Sequence, residues 1–265
     1  MYAFDYTRPA SLADAIEAMK GDEAKALAGG QTLIPTLKQR LASPATLVDL
    51  GGIAEIRGIC LKDGLVAIGA GTRHVEVATS AEVNRLIPAL AHLAGHIGDP
   101  QVRNKGTLGG SLANNDPSAC YPAAVLGLGA TVHTSAGRAI AADAYFQGMF
   151  ATALDEGELI TSVDFPVPAK AAYMKFVQPA SRFALTGVFV AKFMGAVRVA
   201  VTGASESGVF RWAEAEAALG ASFTASALDG LSVPADGMIG DLHGTPDYRA
   251  HLVGVMTRRA VAAAA

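Results

Sequence analysis

The sequence predicts an α+β fold in two unequal parts, an α/β part first and a smaller part of antiparallel strands and helices after it. Three observations carry this prediction. In the first part, short strand-like runs lead into glycine turns and then into helical periodicity. Near the end, Leu185 to Phe193 and Val197 to Val201, joined around Met194-Gly195, read as an antiparallel hairpin. Between these regions Pro166 and Pro168 close a strand and mark the boundary, giving parts at 1–168 and 169–265. A chain of 265 residues exceeds the usual size of one core, which agrees with a division.

Composition excludes several classes of function. A hydrophobic fraction of 51% with only 17% charged residues describes a well-buried protein, and a net charge of -3 offers no broad attraction to nucleic acid. The start, Met1-Tyr2-Ala3-Phe4-Asp5-Tyr6, has neither a basic segment nor an apolar one, so no signal peptide is read and a cytoplasmic location is expected. Pro117 to Gly137 carries no Asp, Glu, Lys or Arg apart from its approach, but Pro122, Gly127, Gly129 and His133 break it, which points to a buried strand and not a membrane span. Cys60 and Cys120 are the only cysteines. Two thiols hold neither an iron–sulfur cluster nor a four-cysteine zinc site, so such a centre would sit in another chain.

In chain order, Leu12, Ala15, Ile16 and Met19 recur at helical spacing, with Gly21 after the end. Ala24 to Ala28 reads as a strand that runs into Gly29-Gly30-Gln31-Thr32, and Pro35 opens the next helix through Leu41. Strand, glycine turn and helix start in succession describe either an anion site or an ordinary βα connection. Thr46 to Leu50 and Leu65 to Gly69 read as strands, the second after an Asp63-Gly64 turn. His74, which opens a helical run, reads as a capping or solvent-facing histidine, with a catalytic base as the alternative. Pro88 to His96 is a helix with His92 and His96 four apart, a metal spacing that lacks a third ligand, so no metal is expected.

A second glycine turn follows, Gly106-Thr107-Leu108-Gly109-Gly110-Ser111. Two such turns suit one physical task, bringing bare backbone N–H groups up to phosphate oxygens. Neither turn is a Rossmann or Walker loop: Gly69 and Gly71 are followed by His74 where a third glycine belongs, and no lysine-bearing phosphate loop occurs. Beyond it, Ala123 to Val132 reads as helix and strand, Asp143 to Phe146 leads into a loop at Gln147-Gly148, and Leu159 to Phe165 reads as a strand. Trp212 to Leu219 reads as a helix, and Thr245-Pro246-Asp247 caps the last one.

The run from Ile97-Gly98-Asp99-Pro100 through Gly106-Thr107-Leu108-Gly109-Gly110-Ser111 to Asn114-Asn115-Asp116-Pro117 resembles the second flavin motif of the FAD subunit of molybdenum hydroxylases. Ala28-Gly29-Gly30-Gln31-Thr32-Leu33-Ile34-Pro35 resembles the first. Phe4-Asp5-Tyr6-Thr7-Arg8-Pro9, Tyr173-Met174-Lys175-Phe176, Gln178 to Ala184, Tyr248 to Leu252 and Thr257-Arg258-Arg259 extend the likeness over nearly the whole chain.

The resemblance implies a two-lobed FAD-binding domain of the PCMH type, with lobes at about 1–55 and 56–168, followed by a smaller antiparallel domain. It implies noncovalent FAD held by Ala28, Gly29, Gly30, Gln31, Thr32, Leu33 and Ile34 on one side and by Thr107, Leu108, Gly109, Gly110 and Ser111 on the other. Ile97, Ile160 and Lys175 are expected against the flavin, with Lys175 stabilising charge on the reduced ring. Where the family commonly has an aspartate, on the ribose and adenine side, this chain has Cys120; Asp116 or the backbone is expected to serve instead. Cys120 is otherwise a neutral packed cysteine or a redox-active one. The activity implied is electron transfer in a heterotrimer. Substrate is hydroxylated at molybdopterin in a large partner, electrons cross [2Fe-2S] clusters in a small one, and this medium subunit passes them from FAD to an external acceptor. A dimer of heterotrimers is expected, with no catalytic acid or base in this chain. A self-contained vanillyl-alcohol-type flavin oxidase and a non-catalytic flavin-binding assembly subunit are the alternatives.

Overall fold

The computed structural model describes residues 1–264. The chain opens with β1 (Asp5–Thr7), α1 (Leu12–Ala18), β2 (Ala24–Leu27), α2 (Leu33–Lys38) and β3 (Thr46–Asp49). Its strands form a parallel three-stranded sheet in the order β1-β3-β2. Ser11 caps α1 by accepting from the Asp14 amide. Helix α2 starts at Leu33, ahead of the expected Pro35; the missing N–H of Pro35 falls among first-turn donors that have no helical partner anyway. A small core of Ala15, Val48, Ile53 and Ile56 joins this sheet to the rest through Leu159.

Next come β4 (Ile59–Lys62), β5 (Leu65–Gly69), and the helices α3 (His74–Thr79), α4 (Ala81–Leu86), α5 (Pro88–Gly95), α6 (Pro100–Arg103), α7 (Leu108–Asn114) and α8 (Tyr121–Leu128). They are followed by β6 (Thr131–Thr134), β7 (Ala139–Ala141), α9 (Ala142–Tyr145), β8 (Phe146–Gly148), β9 (Ala151–Thr152) and β10 (Ile160–Pro166). The sheet order is β4-β5-β10-β6-β7, antiparallel throughout. Strand β4 has no clear signal in the sequence because it is an edge strand with three exposed residues. The turn into β5 takes positive φ at both Asp63 and Gly64, as a tight hairpin of this hand requires.

The uncharged stretch, expected to hold a buried strand and to read as helix and strand over Ala123 to Val132, is helix first: all eight residues of α8 are buried, and only then does β6 begin. What surrounds α8 explains this. The third sheet, β11 (Lys170–Val177), β12 (Ala184–Phe193), β13 (Ala196–Thr202) and β14 (Phe210–Arg211), lies against it on one face. Phe189 and Ala191 of β12 join the core around α8, whereas Val188 and Val190 face the opposite way, into a core with α10 (Ala213–Ala221) and α11 (Pro246–Ala263). Period-two alternation therefore buries both sides of β12. Thr245 caps α11 by accepting from the Tyr248 amide. No helix among the described residues is long and apolar enough to cross a membrane.

Candidate functional site

The two glycine segments, far apart in sequence, touch. A Cβ on Gly29 would lie 2.3 Å from the Lys105 carbonyl oxygen and 2.6 Å from the Gly106 Cα, so backbone packs on backbone with no room for a side chain. Gly30 has φ +69, and its own Cβ would meet Ile34. From Gly29 to Leu33 none of the backbone N–H groups has an acceptor within the described residues; the first turn bond of this segment is Ile34 N to Gly30 O at 3.1 Å. Gln31 donates its side-chain amide to Gly29 O at 3.0 Å, and the Thr32 side chain makes no capping bond. Five consecutive free donors at the start of a helix are available to anionic oxygens.

The second segment works differently from the expectation. Thr107 is the N-cap of α7 and its hydroxyl accepts from the Gly110 amide at 3.1 Å. Leu108 N donates to Thr72 O, Gly109 N to Ala70 O, and Ser111 N to Thr107 O, at 3.1, 2.8 and 3.1 Å. The amides of Leu108, Gly109, Gly110 and Ser111 are therefore spent inside the fold. Gly109 serves close packing, since a Cβ there would sit 2.6 Å from that of Ala70. What this segment leaves half-buried is the Gly110 backbone and Ser111, with Ala28 opposite: a Cβ on Gly110 would approach the Ala28 Cβ to 3.4 Å.

His74 corrects a second expectation. It neither caps α3, a task that falls to Arg73 and Glu76, nor faces solvent: it is 4% exposed, and its Nδ1 has no partner. Its amide donates to Gly106 O at 3.0 Å, and a Cβ on Gly106 would lie 2.5 Å from its Nε2. The ring thus forms the floor beneath the second glycine segment, with Tyr121 at 5.3 Å beside it. Burial first, and the nearby Arg103 charge second, push its pKa down to about 4.

Ile97 follows α5, half-buried, and packs on the main core. Arg103 fastens its loop by donating to Ile97 O and Gly98 O at 3.0 Å each. Lys175, on β11, donates to the His96 carbonyl at 2.8 Å and to Cys120 Sγ at 3.4 Å. The structure therefore gathers Ile97, Lys175 and Cys120 at one end of the site. The residue ahead of α8 is carried to the Lys175 strand by the packing of α8 on the third sheet. Asp116 lines a cavity of about 270 Å³ with Ser118, Gln178, His243 and Arg249. Its carboxyl pKa is raised by burial and partly offset by the Ser118 amide. Ile160 is 5% exposed and belongs to the main core.

Gly106, Arg103 and Asn115 also belong to this architecture, without a separate role having been expected of them. Asn115 takes φ +42 after α7 and donates its side-chain amide to Gly148 O and Ala151 O at 2.8 Å each, tying the β8–β9 hairpin to the site. Only the Gly106 position had a local signal, as the first glycine of its run.

Comparison with known proteins agrees with this arrangement. Residues 2–168 match the family described as the FAD binding domain in molybdopterin dehydrogenase. The carbon monoxide dehydrogenase medium chain of Afipia carboxidovorans is 35% identical over 275 residues, covering 98% of this chain and 96% of that protein. The nicotine 6-hydroxylase medium subunit of Paenarthrobacter nicotinovorans is 33% identical over 273 residues, with 98% and 96% covered. A chain of reconstituted CO dehydrogenase from Oligotropha carboxidovorans superposes with a TM-score of 0.89 at 35% identity, over 99% of this chain and 98% of that one. A chain of quinoline 2-oxidoreductase from Pseudomonas putida 86 gives 0.85 at 31%, over 99% and 97%. The chain belongs to the family of FAD-binding medium subunits of molybdenum hydroxylases, and is an oxidoreductase subunit of that kind.

Proposed function

We propose that this chain carries FAD noncovalently and serves as the electron-transfer subunit of a molybdenum hydroxylase. In this reading it receives electrons from [2Fe-2S] clusters of a small partner, which draws them from a molybdopterin centre in a large one, and delivers them to an external acceptor. The observation that carries it is the row of five free amides from Gly29 to Leu33, pressed against the Gly106 backbone. Family membership supports FAD as the source of the phosphates those amides would hold.

FAD, when bound, supplies the electron exchange that no side chain here provides. The chain's own residues hold it. The amides of Gly29, Gly30, Gln31, Thr32 and Leu33 neutralise the pyrophosphate charge, with Ala28 and Ile34 bounding that turn. Thr107, by capping α7, fixes the opposite wall, to which Leu108, Gly109, Gly110 and Ser111 belong. Ile97 gives the ring an apolar face, and Lys175 with Cys120 sets the charge at that end. Asp116 and its cavity are the remaining polar surface near the site, and Ile160 supports it from the core. Two lobes at about 1–55 and 56–168 would close on the cofactor, with 169–265 as the covering domain; the separate three- and five-stranded sheets and the family match ending at 168 support that division.

The partner reading rests on the relatives, which are named as medium chains or subunits of dehydrogenases and hydroxylases. Those names also weigh against a self-contained vanillyl-alcohol-type oxidase and a non-catalytic assembly subunit. A cytoplasmic dimer of heterotrimers is the assembly we propose.

The purified full chain is expected to be yellow, and acid or heat should release the flavin into the supernatant as intact FAD. Purification from the native host should bring down a molybdenum-containing chain and an iron–sulfur chain. A colourless protein that takes up no FAD would overturn the reading, as would an isolated subunit that oxidised an organic substrate at full rate.

A further inference from the structure

Met149 and Phe150 form the tip of the β8–β9 hairpin, and both are large apolar residues open to solvent, Phe150 at 62% exposure. Neither joins a core cluster. Phe150 also takes φ +55, a left-handed conformation that bulky side chains rarely adopt. The structure around it enforces this. Buried Asn115 accepts from the Phe150 amide at 3.0 Å and donates its side-chain amide to Gly148 O and Ala151 O at 2.8 Å each. An aromatic ring held out to solvent on a strained turn serves no packing within this chain. The exposed apolar surface continues about the neighbouring cavity. Asp116, next to Asn115, lines that cavity, as do Phe183, 47% exposed, and the residues on either side of Leu242, which is 90% exposed. The Gln178 amide lies 3.0 Å from a His243 ring nitrogen and ties the loops carrying Phe183 and Leu242 together.

Two observations choose what covers this surface. Asn115 is the C-cap of α7, and Gly110, on one wall of the proposed FAD site, lies five residues back along that helix, about 8 Å. A chain seated here is therefore beside the cofactor site, where the donor of its electrons has to come. Asp116, for its part, joins no ion pair among the described residues. Two copies of this chain meeting across a twofold axis would set two such carboxylates face to face, whereas a different chain can bring a cation. We propose that Met149, Phe150, Phe183 and Leu242 form the docking surface for the iron–sulfur chain, which receives Phe150 in an apolar pocket and turns a basic side chain toward Asp116. The inference rests on the electron-transfer reading above and adds to it the face on which the electron donor sits.

The test uses the complex purified from the native host, with the photoreactive residue benzoylphenylalanine in place of Leu242 or of Met149 in the full chain. Illumination is expected to join this chain to the iron–sulfur chain. An intact complex in which both positions react only with the molybdenum-containing chain or a second copy, or with nothing, overturns the inference. Should the replacements dissociate the complex, affinity decides. Asparagine tolerates the left-handed turn, so Phe150→Asn should melt no lower than the parent and bind FAD equally in a fluorescence titration, yet bind the iron–sulfur chain at least about tenfold more weakly. Raising salt should weaken the parent association as well, because an ion pair at Asp116 is screened. Parent affinity for the iron–sulfur chain in a folded Phe150→Asn overturns the inference and leaves the FAD reading standing. A parent chain that binds no FAD, or a native complex without an iron–sulfur chain, would instead remove the reading on which the proposal rests.

Discussion

Gly29 and Gly110 look alike in the sequence and do different work. Gly29 has no Cβ because another stretch of backbone occupies the space, at 2.3 Å from the Lys105 oxygen. Gly110 sits inside α7, where a Cβ would press on its own capping hydroxyl, 2.9 Å away, and on Ala28. Gly110→Val is therefore expected to expel the Thr107 cap and push the two walls apart. Loss of one charge-assisted contact costs about 1.5–3 kcal/mol, roughly tenfold to a hundredfold in FAD affinity. Gly137→Asn is the control: that glycine has φ +75, which asparagine tolerates, and open space around it. FAD titration of both variants, with circular dichroism to confirm folding, checks this; unchanged affinity in a folded Gly110→Val would make the turn purely structural. His74 makes a second prediction at this scale. Its folded pKa of about 4 lies below the ordinary 6.5, so the unfolded chain takes up a proton first as pH falls. Its contribution is present above pH 6.5 and is lost between 6.5 and about 4. The loss is on the order of 3 kcal/mol from burial of a neutral ring. Urea melts across that window should show the slope, and His74→Asn should flatten it; an identical slope in the variant would mean another group titrates there.

Among the elements, the β6–β7 hairpin is locked to the segment leading into β10 by Arg138 and Glu158. Arg138 Nε donates to Glu158 Oε1 at 2.9 Å, its NH2 group meets Oε2, and Asp155 N donates to Oε2 at 2.8 Å. The Arg138 bonds are the main cause of a Glu158 carboxyl pKa near 2, against an ordinary 4.5. A depressed carboxylate stabilises the fold above pH 4.5, and that stability is lost as pH falls from 4.5 toward 2. Glu158→Gln is expected to lower stability at neutral pH and to weaken the acid dependence in that window, read from thermal melts at a series of pH values. Helix α7 shows how element boundaries escape the sequence. Thr107-Leu108-Gly109-Gly110 reads as a loop because two adjacent glycines disfavour helix. Tertiary packing overrides the propensity: Gly109 lets α7 lie on Ala70, and Leu108 and Leu112 are fully buried beneath it.

At the scale of the molecule the third sheet is not an appendage. Tyr173, Phe189, Ala191 and Ala200 share a core with α8, and Arg198 joins the two regions by donating to Leu126 O at 2.9 Å and to both Asp143 oxygens at 2.8 Å. A chain cut after Pro168 would expose the buried face of α8 and lose Lys175. It is expected to aggregate or melt without a cooperative transition, as judged by size-exclusion chromatography and calorimetry. A monodisperse, cooperatively melting fragment would show that the shared core is dispensable.

The sequence by itself determined the α+β character, the strands β2 and β3 of the first sheet with their helices, the long β12–β13 hairpin, the α11 cap and the two glycine segments. Those features are local: periodicity, caps and turn residues act within a few positions, and Ser11, Thr245 and Gly30 do in the structure what such residues do anywhere. The tertiary structure alone decided which amides are free. Gly29 to Leu33 keep theirs because no acceptor is aligned with them, while Leu108 and Gly109 lose theirs to Thr72 and Ala70, residues more than thirty positions away. It also decided that His74 is buried and that Cys120 stands beside Lys175. Each of these depends on contacts between distant segments, and no local pattern encodes a neighbour that arrives only when the chain has folded.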